Sequence, residues 1–141
     1  MNNDTLEKLQ VLLVEDNPVT ARMESALLVS GGYNVVTAAS GEDALRFMKY
    51  NMKIDAVLMD VDLGEGMSGI EAASTIASAY CIPVLFYTGH DEYDLFFSAD
   101  AMIKEFGYIP KNSSKGDVLE IIRNAILVKK IFQNDNSGIS L

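Results

Sequence analysis

Short apolar runs alternate with stretches of helical periodicity about every 20 to 25 residues, and that rhythm restricts the fold of this chain more than any other feature. Strands are expected at residues 10–15, 34–38, 56–60, 84–87 and 108–110. Three of these are almost wholly apolar, as strands covered on both faces should be. The helices between them carry their own punctuation. Asn17-Pro18 opens the first and Gly31-Gly32 stops it, with Val19, Met23, Ala26 and Leu27 expected inward. Ser40 to Asp43 has capping-box character at the start of the second, which should turn Ala44, Leu45 and Met48 to the core. A third helix follows Gly69, with Ile70, Ala73, Ile76 and Ala77 inward. A fourth is expected over 91–106 and a fifth over 114–132, where Val118, Ile121, Ile122, Ala125 and Ile126 keep a three-and-four spacing. The last residues, Gln133 onward, read as a disordered tail. The pattern is that of βαβ units wound on a parallel sheet.

Such a sheet gathers the C-terminal ends of its strands at one edge, where open α/β folds bind ligands. Acidic residues stand at that edge: Glu15 and Asp16 close the first run and Asp60 closes the third. Carboxylates so placed repel one another unless protons or a cation intervene, and Mg²⁺ prefers all-oxygen ligands. That chemistry points to phosphate.

A chain of 141 residues fits one domain and buries roughly two-thirds of its unfolded surface. Its apolar runs fall far short of a membrane span, and its polar opening lacks the pattern of a signal peptide, so a cytoplasmic protein is expected. With 20 acidic against 11 basic residues the net charge is −9, which opposes binding to nucleic acid or anionic lipid. Cys81 is the only cysteine; no internal disulfide is available to it, and a buried bystander is expected.

Four stretches follow in order: Val-Leu-Leu-Val-Glu-Asp-Asn-Pro over 11–18, Leu-Met-Asp-Val-Asp-Leu-Gly-Glu-Gly-Met-Ser-Gly-Ile-Glu-Ala-Ala over 58–73, Phe-Tyr-Thr-Gly over 86–89 and Tyr-Ile-Pro-Lys over 108–111. Together they resemble the receiver domain of bacterial two-component response regulators, over residues 8–128, leaving 1–7 as a lead and 129–141 as the helix end and tail. The resemblance implies a flavodoxin-like (βα)5 fold, a three-layer αβα sandwich whose five parallel strands run in the order 2-1-3-4-5. It implies a signalling domain rather than a many-turnover enzyme.

In that family a phosphoryl group passes from a histidine kinase, a histidine phosphotransfer protein or a small acyl phosphate to an aspartate, and the match places the acceptor at Asp60. Asp16 and Asp60 would bind Mg²⁺ or Mn²⁺ directly, Glu15 through water and Asp62 through its carbonyl. Lys111 would pair with one phosphoryl oxygen and Thr88 with another, and the movement of Thr88 would make room for Tyr108 to turn inward. Gly89 would leave the site open to water, and His90 would border it and influence hydrolysis. Output would pass to a protein effector, or to a homodimer through the face of the fourth helix, fifth strand and fifth helix, where Tyr93, Phe97, Leu127 and Ile131 lie off the inner faces.

The sequence departs from the family in two places. The loop after Asp60 is one residue longer and lacks the usual proline, and Asp62 and Glu65 add negative charge there. Lys111 is followed by Asn112 where many receivers have proline, so a trans bond is expected. Other readings stay open. Asp60-Val61-Asp62 also fits the Asp-x-Asp core of haloacid-dehalogenase-type phosphatases, which would release phosphate over many turnovers. A flavodoxin-like binding module would share the fold, although Glu15 and Asp16 would repel its phosphate. A docking unit that takes no phosphate is the fourth.

Overall fold

Four consecutive buried apolar residues, Val11 to Val14, make β1 (Gln10–Val14) a strand that can only lie between two layers. The computed structural model describes residues 8–50, 53–61, 63, 66–89 and 106–138 and places β1 inside the sheet, between β2 (Asn34–Ala38) and β3 (Ala56–Met59). Beyond β3 follow β4 (Val84–Thr88) and then β5 (Gly107–Pro110) at the edge. All four pairings are parallel and the order is 2-1-3-4-5, as the sequence implies. Among the described residues four helices connect or flank these strands: α1 (Pro18–Ser30), α2 (Gly41–Lys49), α3 (Gly69–Ala79) and α4 (Lys115–Gly138). Of the helix expected over 91–106, residues 91–105, Tyr93 and Phe97 among them, lie outside the described residues, as do Asp62, Gly64, Glu65 and His90.

Alternation along the strands sorts the core into two layers. Leu12, Val14, Val57, Met59 and Phe86 face α2 and α3, meeting Ala44, Met48, Ala72, Ala73 and Ile76. Val11, Leu13, Leu58, Leu85 and Ile109 face the other way, toward Leu28 of α1 and Val118, Ile122 and Ile126 of α4. Each of the larger side chains among these contributes roughly 1.5 to 3 kcal/mol on burial, so the two layers jointly fix which face of every helix points inward.

The register carries the consequence for function. Val14 pairs with both Ala38 and Met59, Met59 with Phe86, and Thr88 with Pro110, so β1, β3, β4 and β5 finish along one edge. β1 and β3 stop one residue before the sequence suggests. Glu15 and Asp60 are therefore the first residues past their strands, not the last within them.

Several expected details are corrected. Val19 and Met23 of α1 are 63% and 69% exposed, and Ala26 is exposed as well; the inner face instead holds Glu24 and Leu28, with Leu27 half-buried. Ala77 of α3 is exposed and Ala72 takes the inward position. Cys81 is exposed rather than buried. The last helix continues to Gly138, through residues read as a disordered tail. Leu127 and Ile131 are exposed, as their place off the inner face of α4 predicts. Among the described residues no helix is long and apolar enough to cross a membrane.

Candidate functional site at the strand ends

Backbone hydrogen bonds hold the acidic residues just past the strands. Glu15 N–H donates to the Ala38 carbonyl at 3.0 Å, and Asp60 N–H donates to the Val14 carbonyl at 3.0 Å. One carboxylate oxygen from each of Glu15, Asp16 and Asp60 lies within 4.8 Å of the others. Glu15 and Asp60 are buried and Asp16 is exposed. Three carboxylates at that spacing repel one another strongly, and a hard divalent ion would relieve the repulsion while accepting only oxygen ligands. Exposed Asp16 leaves such an ion a route in. The donor set fits Mg²⁺ or Mn²⁺ and offers no soft ligand.

Both oxygens of Glu15 are already engaged. Oε2 accepts from the Asn17 N–H at 3.2 Å and Oε1 accepts from Lys111 Nζ at 3.1 Å. Lys111 reaches this point because its own N–H donates to the Thr88 carbonyl at 2.9 Å, extending the β4–β5 pairing by one step. Its ammonium also lies 3.5 Å from Glu24 Oε2 and 5.7 Å from the centre of the Tyr87 ring. Burial alone would lower the Lys111 pKa; the hydrogen bond to Glu15 and the charges of Glu24, Asp60 and Glu15 outweigh it and hold the ammonium above its ordinary range. Glu24 is pushed up to about 7, chiefly by burial and further by the Glu15 charge, with Lys111 opposing. The Tyr87 phenol is also raised, by burial first and the Glu24 charge second.

Thr88 is completely buried at the end of β4. Tyr108 is half-buried on β5, opposite Phe86, and lines a cavity of about 360 Å³ with Gly89, Pro110, Lys111 and Asn112. Among the described residues, a side chain added at Gly89 would meet no neighbour. The peptide bond from Lys111 to Asn112 is trans.

The segment after Asp60 is tied down from two directions. Glu42 of α2 accepts from the Met67 N–H at 3.1 Å, beside Gly66, whose φ of 91° lies in the left-handed region that favours glycine. Gly69 then donates to the Val61 carbonyl at 3.1 Å, and a Cβ at Gly69 would collide with the Asp60 carbonyl. Ser68 and Glu71 form a reciprocal capping box at the start of α3.

Of the residues singled out in the sequence, Glu15, Asp16, Asp60 and Lys111 come together, with Thr88, Gly89 and Tyr108 beside them. Asp62 and His90 fall outside the described residues. Glu24 belongs to the site and was missed. The signal available was a lone acid between Ala21 and Leu28, on an inward stripe that had to be separated from the more apolar stripe of Val19, Met23 and Ala26.

With this geometry in view, the relatives are informative. The chain is 37% identical over 84 residues to the transcriptional regulatory protein YvrH of Bacillus subtilis, covering 59% of this chain and 35% of that protein. It is 34% identical over 84 residues to the CAI-1 autoinducer sensor kinase/phosphatase CqsS of Vibrio cholerae, covering 57% of this chain and 12% of that one. The chain thus spans about a third or less of the length of these curated relatives. Among solved structures it is similar to the N-terminal domain of a response regulator/sensory box/GGDEF three-domain protein from Carboxydothermus hydrogenoformans. The TM-score is 0.77 at 30% identity, over 86% of this chain and 97% of that one. The family model for the response regulator receiver domain matches residues 11–123, four of whose strand ends carry the acids, the hydroxyl and the lysine described above; the chain belongs to that family.

Proposed function

We propose that this chain is a phosphoacceptor receiver, spanning residues 8–128, that takes one phosphoryl group onto Asp60 and signals through Thr88 and Tyr108. The observation that supports this most directly is the meeting of three carboxylates within 4.8 Å beside a lysine held 3.1 Å from one of them. An Asp60 carboxylate oxygen attacks phosphorus as the bond to the donor histidine, or to a small acyl leaving group, breaks; the electron pair leaves with the donor. Asp16 and Asp60 would hold a divalent ion directly, Glu15, with both oxygens in hydrogen bonds, would act through water, and Asp62, which lies outside the described residues, would offer its carbonyl. The ion's chemistry is to offset negative charge on the phosphoryl oxygens.

Lys111 supplies an ammonium to one phosphoryl oxygen and Thr88 a hydroxyl to another. Movement of Thr88 draws Tyr108 inward from its half-buried position, changing the surface near the cavity it lines. His90 would influence the lifetime of the acyl phosphate. Phosphodonors are a histidine kinase or a histidine phosphotransfer protein in the cytoplasm. The output is a protein effector, or a homodimer through the face of residues 91–106, β5 and α4, to which exposed Leu127 and Ile131 contribute.

Incubation with acetyl phosphate and Mg²⁺, followed by intact-mass measurement, tests the reading. A single phosphoryl adduct is expected in the wild type and none in Asp60→Asn. An adduct of equal yield in Asp60→Asn, or steady phosphate release over many turnovers, would overturn it.

A further inference from the structure

Glu24 is a buried charge for which the chemistry above has no use. It stands on the inner face of α1, where its companion Leu28 is fully buried, and its own side chain is 11% exposed. A carboxylate in such a place is costly unless an opposite charge faces it, and a leucine would fill the same layer without that cost. What faces it is Lys111 Nζ at 3.5 Å, the ammonium that also donates to Glu15 at 3.1 Å. Lys111 is therefore shared between two acids from different elements, with the Tyr87 ring at 5.7 Å as a further wall.

We propose that Glu24 is a positioning residue for phosphoryl transfer: it retains Lys111 on the α1 side of the site and so competes with a phosphoryl group on Asp60 for that ammonium. The inference rests on the reading of Asp60 as phosphoacceptor. Two effects act together. An ionised Glu24 holds the lysine back, and it adds negative charge close to where a phosphoryl dianion must sit. The same charge favours a divalent cation at Asp16 and Asp60. The balance of the receiver is thereby set toward the unphosphorylated, cation-ready form, by a residue that touches neither the metal nor the phosphoryl group.

The opposite signs make the test. Glu24→Gln keeps the shape and removes the charge; Glu24→Met replaces it with an apolar side chain of similar size. Both are titrated by NMR at pH 8, where Glu24 is ionised, with Mg²⁺ alone, and with beryllofluoride at saturating Mg²⁺ as the phosphoryl mimic. Removal of the charge is expected to tighten beryllofluoride binding by about fivefold and to weaken Mg²⁺ binding, in both variants. A residue needed only for packing would move the two affinities in the same direction or not at all, and either result overturns the proposal. Asp60→Asn is the reference. Loss of beryllofluoride binding there, with equal affinities in wild type and Glu24→Gln, removes the Glu24 inference alone. Undiminished binding in Asp60→Asn removes the phosphoacceptor reading and the inference with it.

Discussion

Glu24 holds a proton in the folded chain at pH values where a solvated glutamate has lost it, because burial raises its pKa from 4.5 to about 7 against the pull of Lys111. The folded state then binds more protons than the unfolded state across that interval, so stability falls as pH rises through it. The contribution is fully present below about pH 4.5 and lost above about pH 7. A shift of this size corresponds to on the order of 3 kcal/mol. Urea unfolding in EDTA at pH 5 and pH 8 measures it. The wild type should lose more stability between the two than Glu24→Gln, which has nothing to titrate at this position. Parallel behaviour of the two proteins would show that Glu24 is ionised throughout.

The elements were placed by signals that act locally, and the errors arose where two signals competed. Asn17 accepts from the Val19 and Thr20 N–H groups at 2.9 and 3.1 Å, and Pro18 follows it, so the start of α1 was legible from two residues. The rotation of α1 was not. Val19, Met23 and Ala26 form the more apolar stripe, yet the sheet covers Glu24 and Leu28, because Lys111 arrives from β5 as a partner that no window around α1 contains. At α3 the sequence held a clear cue that went unread. Ser68 Oγ accepts from the Glu71 N–H at 3.1 Å while Glu71 accepts from the Ser68 N–H at 3.3 Å. Removing that cap by Ser68→Ala should cost about 1 kcal/mol in urea unfolding, and Ser68→Asp, which keeps an acceptor, should cost little. Equal losses in the two variants would mean that the hydroxyl matters for something other than capping.

Only the assembled sheet creates the site. Asp16 and Asp60 are separated along the chain by α1, β2, α2 and β3, and their carboxylates meet because β1 and β3 are adjacent and in register up to Val14 and Met59. The unfolded chain holds no such group of ligands, so a divalent ion at the cluster would bind the native state and draw the folding equilibrium with it. Strand order was legible in the sequence through the resemblance. The sharing of Lys111 was not, since it depends on side chains from three elements converging after the backbone is in place. At a hundredfold excess over the dissociation constant, Mg²⁺ should stabilise the wild type by about 2.7 kcal/mol. Unfolding titrations of wild type, Asp16→Asn and Asp60→Asn with and without Mg²⁺ measure this coupling. Each variant lacks one charged ligand and is expected to lose most of the increment at the same ion concentration. An increment that survives in both would place the stabilising ion somewhere other than the strand ends, and would leave the acidic cluster with no part in holding the two strands to a common edge.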